Sequence, residues 1–425
     1  MLHGLYRSNS RVSIISFGSI NTKKAFKEFC QSLYRSGVKK EELRQKTREV
    51  MKVFGAQDNT QMDDSTIEDQ NQFPIEDDQE EDILHTAAYR GPEDTVQPLH
   101  MRSDSIEATD KDIESSLHTT PLHSAVRDGD TDTVKRLLEN GTSIVAIDED
   151  NNTPLHLAAE SGHTSVVELL LGKGALIEAL NKDNNTPLHL AAWSGHTGVV
   201  EILLGKGALI EALNKDNNTP LHLAAWDGHT GPVELLLGKG ALIEALTKIN
   251  NDTPLHLAAQ SGHTGIVEIL LEKGALIEAL NEDNDTPLHL AAQSGHIDVV
   301  ELLLGKGALI EALTKISNDT PLHLAAWDGH AGVVELLLGK GALIEALNKD
   351  NYTPLHLASL SGHTGVVELL LNTGASVGAR NRLGQIPLSF AIWGGNTDIL
   401  QLLQNRASEL VQENSPRYKL RQGQK

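Results

Sequence analysis

The chain has 425 residues, enough for two or three ordinary domains, and 39% of them are hydrophobic. A formal net charge of −22 argues against a general nucleic-acid binder, because phosphate recognition needs a net basic surface. The single cysteine, Cys30, cannot form an internal disulfide, and no apolar run reaches the roughly 18 residues that a membrane-spanning helix needs. A cytoplasmic protein is the expectation.

The first segment, residues 1–54, is basic and has helical patterning. Residues 1–53 carry 12 Lys/Arg against 4 Asp/Glu. One apolar face is formed by Phe26, Phe29, Leu33 and Tyr34. With a break at Gly37, the pattern predicts two short amphipathic helices, which either pack on the protein itself or dock on a membrane surface or a partner. The basic, serine-containing start leaves organelle import as a weaker alternative.

The second segment, residues 55–82, is acidic and poor in apolar residues. Residues 54–82 contain 11 acids and no base, a composition that predicts a disordered linker. The sequence of 1–82 has no Ser/His/Asp arrangement and no cluster of metal-ligating residues. An enzyme with its active site in this part is therefore the less favoured hypothesis.

After residue 82 the sequence repeats itself. The tetrapeptide Thr-Pro-Leu-His occurs eight times at intervals of 33 or 34 residues. Its copies begin at Thr120, Thr153, Thr186, Thr219, Thr253, Thr286, Thr320 and Thr353. A degenerate copy begins at Ile386 and a more divergent one at Ile83. This period predicts a solenoid of about ten repeats over 83–405, with degenerate repeats at both ends and a polar tail over 406–425.

One copy shows what each repeat builds. Thr186 is predicted to cap a short first helix that begins at Pro187, where the missing proline N–H is tolerated. Gly195 ends this helix, and a second helix from Thr197 stops at Gly207. Neither helix is long enough to be stable alone, so each repeat depends on its neighbours.

The copies resemble the ankyrin repeat. The resemblance rests on the run Asn-Asn-Thr-Pro-Leu-His-Leu-Ala-Ala from Asn184 to Ala192 and on the Gly-His, Val-Val, Leu-Leu and Gly-Ala pairs that follow it. It implies an all-α repeat solenoid, in which each repeat is a helix-turn-helix with a projecting β-hairpin finger, and a concave groove. It also implies protein–protein binding without chemistry of its own.

Two features depart from that family. Asn stands where the family usually has Gly, as at Asn184, and its turn is predicted to be left-handed. The finger, predicted to be extended over 208–213, carries Leu-Ile-Glu where the family commonly has Asp-Val-Asn. The recurring finger glutamates are Glu178, Glu211, Glu244, Glu278, Glu311 and Glu345. They are expected to steer basic partners or simply to keep the surface soluble.

The histidines and the Gly-Lys-Gly triplets do not indicate a catalytic, metal or cofactor site. Of 19 histidines, eight belong to Thr-Pro-Leu-His and seven follow the glycine that ends the first helix. The resemblance implies that these imidazoles tie turns to the backbone. The triplets fall at helix C-termini, where the helix dipole disfavours phosphate, and they lack the rest of a phosphate loop.

The tryptophans lead the candidates for partner contact. Trp193, Trp226, Trp327 and Trp393 all stand six residues after the proline of the motif, and Tyr89 holds that position in the divergent first copy. Other copies carry Arg, Glu, Gln or Leu there, so it is not a core position. The resemblance places it at the end of the first helix, facing the groove, where exposed Trp and Tyr are typical anchors. Covering a neighbouring helix is the alternative.

The fingers supply further candidate contact residues, and one second helix contains a predicted weak point. Leucines recur late in the finger, as at Leu213 and Leu246. Two fingers have an extra residue, and Ile249, Ile316 and Tyr352 are expected near fingertips, with tolerated turn variation as the alternative. In one second helix a Gly-Pro pair at 231–232 replaces the usual pair before Val, so earlier local opening is expected there.

The sequence thus favours a monomeric scaffold or adaptor that binds partner proteins through the groove and fingers. A partner with a basic surface suits the acidic chain, nucleic acid does not, and membrane contact is expected only through 1–54. A membrane-peripheral adaptor and a secreted bacterial effector, each targeted by the basic N-terminal helices, are the alternatives.

Overall fold

The computed structural model describes residues 120–413, which form eighteen α-helices in nine helix-turn-helix repeats and contain no β-strand. The predicted N-terminal helices, the acidic linker, the divergent first repeat with Tyr89 and the tail beyond residue 413 lie outside the described residues.

Each repeat contributes a first and a second helix. The first helices, which carry the odd numbers α1 to α17, are Pro121–Arg127, Pro154–Glu160, Pro187–Trp193, Pro220–Asp227, Pro254–Ser261, Pro287–Ser294, Pro321–Asp328, Pro354–Ser361 and Pro387–Trp393. The second helices, which carry the even numbers α2 to α18, are Thr131–Glu139, Thr164–Gly172, Thr197–Gly205, Thr230–Gly238, Thr264–Glu272, Ile297–Gly305, Ala331–Gly339, Thr364–Asn372 and Thr397–Glu413.

The predicted helix boundaries are confirmed in the repeat that begins at Thr186. The Thr186 hydroxyl accepts the His189 N–H at 3.4 Å, and Pro187 is the first helical residue of α5. The second helix, α6, begins at Thr197 and is followed by Gly207 at φ +93°. The threonine cap and the left-handed glycine therefore set the two ends of the hairpin.

Small residues bring the first helices close together. Ala191 and Ala192 of α5 have no exposed surface, and consecutive first helices pack closer than consecutive second helices do. In α6 the larger Val199, Val200 and Leu203 fill the space between the helix layers and are also fully buried. Helices with small contact residues approach more closely, which explains the tighter packing of the first helices.

The predicted β-hairpin fingers are not confirmed. Ala212 N–H donates to the Leu209 carbonyl at 3.1 Å, which closes a turn inside the stretch predicted to be extended. Asn214 N–H donates to the Asn218 carbonyl at 3.1 Å, and the Asn214 Oδ1 accepts the N–H groups of Asp216 and Asn218 at 3.0 and 2.9 Å. The Asn214 side chain thus accepts N–H groups that would otherwise bond to a paired strand, and the finger forms consecutive turns.

Asparagine at the turn before each first helix is left-handed, as predicted. Asn184 has φ +57°, and Gly384 takes the position in the last copy at φ +73°. The other asparagines with φ between 55° and 60° are Asn151, Asn217, Asn251, Asn284, Asn318 and Asn351. Asn adopts this region more readily than other residues with a Cβ, which explains how it replaces glycine here.

The last helix runs past the predicted end of the repeats at residue 405. Helix α18, Thr397–Glu413, has 17 residues, whereas α6 has nine. Ala407 stands at the position that Gly207 holds in α6. Because alanine adopts the left-handed backbone conformation less readily than glycine, the helix continues past this position.

Candidate interaction surface

The histidines of the first helices are buried residues that join neighbouring repeats. The His189 Nδ1 accepts the Thr186 N–H at 3.1 Å, so this nitrogen carries no proton. The Nε2 lies 3.0 Å from the Asn218 carbonyl of the next finger, so Nε2 is the protonated nitrogen and donates. All eight have no exposed surface, namely His123, His156, His189, His222, His256, His289, His323 and His356.

Burial keeps these imidazoles neutral. It lowers the pKa of His189, His222 and His356 to about 4, and backbone carbonyl bonds raise it less than burial lowers it. Burial also lowers the pKa of His123, His156, His256 and His323. A buried neutral ring with both nitrogens engaged offers neither a metal ligand nor a proton acceptor to a substrate.

In five repeats the histidine before the second helix binds in the opposite direction, to the preceding repeat. His196 Nε2 donates to the Glu160 carbonyl and His263 Nε2 to the Trp226 carbonyl, both at 2.9 Å. The His196 ring lies where a Cβ on Gly162 would be, and Gly162 has φ +79°. Glycine is therefore required both by the backbone and by the neighbouring ring. The implied role, tying turns to the backbone, is confirmed for the first-helix histidines and for these five, whereas His229 Nε2 lies 2.7 Å from the Asp227 carboxylate.

The finger glutamates have a backbone partner that sequence reasoning missed. Glu178 Oε1 accepts the Leu209 N–H at 2.9 Å, and Glu211 Oε1 accepts the Leu242 N–H at 2.8 Å. Glu244, Glu278, Glu311 and Glu345 accept the N–H groups of Leu276, Leu309, Leu343 and Ser376 in the same way. These carboxylates hold successive fingers together. The sequence signal that could have predicted these bonds is the presence of glutamate at the same finger position in six copies.

The fingertips are joined by backbone hydrogen bonds from repeat to repeat. Lys182 N–H donates to the Asp150 carbonyl at 2.9 Å, and Lys215 N–H donates to the Asp183 carbonyl at 3.0 Å. Equivalent bonds are Lys248 to Asp216, Glu282 to Asn250, Lys315 to Asp283, Lys349 to Ser317 and Arg382 to Asp350. The fingers thus form a continuous row in which each tip is fixed to the one before it.

Two of the predicted tryptophans are well exposed on adjacent first helices. Trp193 is the last residue of α5 and Trp226 lies at the end of α7, with 36% and 45% of their surfaces exposed. Trp327, at the same position of α13, is half-buried. The structure therefore places all three at the ends of first helices.

Trp393 and Tyr352 belong to an aromatic cluster near the end of the solenoid. The Phe390 ring is 4.9 Å from Trp393 and 5.2 Å from Tyr352, centroid to centroid, with both pairs edge-on. His356 joins the cluster at 5.4 Å from Phe390. Both predicted contact residues are half-buried here and pack on Phe390, so part of each ring is used inside the solenoid.

The predicted finger residues lie on the surface. Leu213 and Leu246 are 52% and 49% exposed. Glu282 N–H donates to the Asn250 carbonyl at 2.6 Å, which is the bond between neighbouring fingertips. In the 33-residue copies the acceptor of this bond, such as Asp183, directly follows the finger lysine, whereas Ile249 separates Asn250 from Lys248. Ile249 is therefore the extra residue of its finger. Ile249 is 63% exposed and its counterpart Ile316 is 66% exposed. Trp193, Trp226, Leu213, Leu246 and Ile249 all come from consecutive repeats.

Two further observations concern the chemistry of the surface. Among residues 120–413, no group of three or more His, Cys, Asp or Glu side chains is arranged to hold a metal ion. Within the same part of the chain, none of the helices combines the length and hydropathy that a bilayer span requires.

The comparisons with known proteins agree with this architecture. A family model described as ankyrin repeats (3 copies) matches residues 84–181, 173–247, 233–314, 277–348 and 322–414. A search of curated proteins finds no match to the chain. The matched segments cover well over half of the 425 residues and coincide with the helical repeats. The chain belongs to the ankyrin-repeat family.

Proposed function

We propose that this protein is a scaffold or adaptor that binds a partner protein along the first-helix ends and fingers of its solenoid. Ankyrin repeats are generally protein–protein interaction modules. The observation that carries the finer proposal is the exposure of Trp193 and Trp226 at the ends of consecutive first helices. Tryptophan is enriched among the residues that dominate binding energy at interfaces.

The fingers supply the second side of this surface. Leu213, Leu246 and Ile249 are each about half exposed or more and come from the same repeats as the two tryptophans. Their backbones are held by bonds between fingers, such as Glu211 to Leu242 at 2.8 Å. Rigid apolar groups lose little conformational entropy on binding, which favours their use as anchors.

The charge of the chain suggests a partner with a basic surface. At a net charge of −22, long-range attraction raises the association rate of basic proteins and weakens as salt is added. The surface that carries the tryptophans is complete within one chain, so one copy is a sufficient binding unit.

Affinity capture with matched variants tests the proposal. The double variant Trp193→Ala with Trp226→Ala is expected to lose the partner or to bind it at least about 30-fold more weakly, the effect of one strong anchor. Ile297→Ala is the control, because Ile297 is 44% exposed and begins a second helix two repeats beyond Trp226. Equal capture by the wild type and the double variant would show that the partner binds elsewhere.

A further inference from the structure

A row of six leucines lies outside the surface proposed above. We call it the first leucine row, and its members are Leu176, Leu209, Leu242, Leu276, Leu309 and Leu343. Each begins a finger, directly after the Gly-Ala that ends the second helix, and each is 61–63% exposed. The second leucine row, four residues later in each finger, is 48–55% exposed and consists of Leu180, Leu213, Leu246, Leu280, Leu313 and Leu347.

The first leucine row is a fixed and continuous apolar surface. Single exposed leucines are ordinary, but six in line form a patch of the kind that marks an interaction site. From Leu209 to Leu343 each backbone N–H is held by the glutamate of the preceding finger at 2.8–2.9 Å. The row therefore does not have to be ordered when a partner binds.

The spacing of the row restricts its occupant. Adjacent leucines are one repeat apart, about 10 Å, near the upper end of helix packing distances. An occupant must present apolar groups at the same interval over five successive steps to contact all six. The first leucine row of a second copy has the same interval between its leucines, because the two chains are identical.

The charges beside the row also suit a second copy. Three residues before each leucine stands a lysine, in the series Lys173, Lys206, Lys239, Lys273, Lys306 and Lys340. Two residues after each leucine stands one of the six finger glutamates. The strip thus carries equal numbers of both signs, although the chain as a whole is strongly acidic. Lys306 and Lys340 also lie 3.9 and 3.3 Å from Glu268 and Glu301 of the second helices, but their side chains remain 41% and 44% exposed and can approach finger glutamates of a second copy.

We propose that the first leucine row is a self-association surface through which two copies of this chain pair face to face. Burying about 100 Å² of each leucine would remove roughly 600 Å² per copy and about 1,200 Å² in total, the lower end of stable interfaces. The proposal replaces the monomer expected from the sequence. It is independent of the proposed function, because it uses neither Trp193 and Trp226 nor the second leucine row.

Sedimentation of the full chain over two decades of protein concentration tests the proposal. The wild type is expected to shift from the mass of one chain to twice that mass. The shift is expected at lower concentration in high salt, which screens the repulsion between two acidic chains and leaves apolar contact intact. A test variant carries Leu209→Gln, Leu242→Gln, Leu276→Gln and Leu309→Gln. A control variant carries Leu213→Gln, Leu246→Gln, Leu280→Gln and Leu313→Gln.

The test variant is expected to stay a single chain at every concentration, while the control variant pairs as the wild type does. Both variants replace exposed side chains, and circular dichroism should give both the helix content of the wild type. A wild type that stays a single chain throughout overturns the proposal, as does an equal loss of pairing in both variants. Capture of a different protein that is lost only in the test variant would assign the row to that protein and also overturn it.

Discussion

The central repeats and the last repeat use different means to hold neighbours together. In the centre, a histidine such as His189 reaches forward to the next finger and a glutamate such as Glu211 reaches forward to the next leucine N–H. In the last copies, Ser389 stands in place of the histidine and Gly378 in place of the glutamate. Packing around Phe390 takes over there.

The difference indicates that the forward hydrogen bonds of these polar residues serve the junctions between repeats. Among the described residues no finger follows Ser389 and Gly378, because the last helix runs on to Glu413 where a finger would begin, so a forward hydrogen bond of this kind has no partner there. Backward bonds persist, since Asn396 Nδ2 donates to the Ser359 carbonyl at 3.2 Å where other copies use histidine. At the other end Val145 replaces the glutamate although a finger follows, and nothing in the structure explains that exchange.

Acid should give the largest effect on the central junctions. Their histidines have a lowered pKa when folded, so the folded chain binds fewer protons than the unfolded chain. Stability is therefore complete above the unfolded pKa of 6.5 and is lost as the pH falls toward the folded pKa of about 4. Protonation of His189 and His222 at central junctions, and of His356 at the last junction, should each cost about 2 kcal/mol of folding free energy at pH 5. Urea unfolding from pH 7.5 to 4.5 measures this loss.

Constant stability across that pH range would contradict the neutral, doubly bonded state of these rings. A loss that begins only below pH 4 would instead point to carboxylates. Because Ser389 has no ring to protonate, hydrogen exchange at pH 5, corrected for intrinsic rates, should rise first in the central repeats.

Removing one central histidine tests the same comparison at a single junction. His189→Ala leaves the buried Thr186 N–H without its partner, removes one of the two donors to the Asn218 carbonyl and opens a cavity, so we expect a loss of about 3 kcal/mol. Ser389→Ala, the matched change in the last repeat, should alter stability by less than about 0.5 kcal/mol. Thermal and urea unfolding of both variants measure the difference. Similar losses would mean that the forward bond does not distinguish the two regions.

These contrasts show what could be read from the sequence. The period, the threonine caps and the left-handed Asn184 depend on neighbours in the chain, and all were predicted. The bond from Glu211 to the Leu242 N–H joins residues 31 apart, and its geometry depends on how one finger lies on the next. The contact between Tyr352 and Phe390 likewise joins different repeats, so the sequence placed Tyr352 at a fingertip and missed the aromatic cluster.

The left-handed turn offers a smaller test. Asn217 has φ +55°, and Asn217→Ala should destabilise the chain by about 1 kcal/mol because alanine fits this backbone poorly. Asn217→Gly should stay within about 0.5 kcal/mol of the wild type, since glycine gains freedom in the unfolded chain as well. Gly384→Asn in the last copy is the reciprocal control. Equal stability of the alanine and glycine variants would show that the turn relaxes out of this conformation.

Helix α8, Thr230–Gly238, should show the smallest effect, an earlier local opening among the central second helices. At the equivalent place in α6 the Val199 N–H donates to the His196 carbonyl at 3.0 Å, whereas Pro232 has no N–H. The proline also restricts the unfolded chain and fits a first helical turn, so the net loss should be below about 1 kcal/mol. Hydrogen exchange should therefore be up to about fivefold faster in α8 than in α6 or α10, and Pro232→Val should remove the difference. Uniform protection of the three helices would show that the lost bond is fully offset by the stiffness of proline.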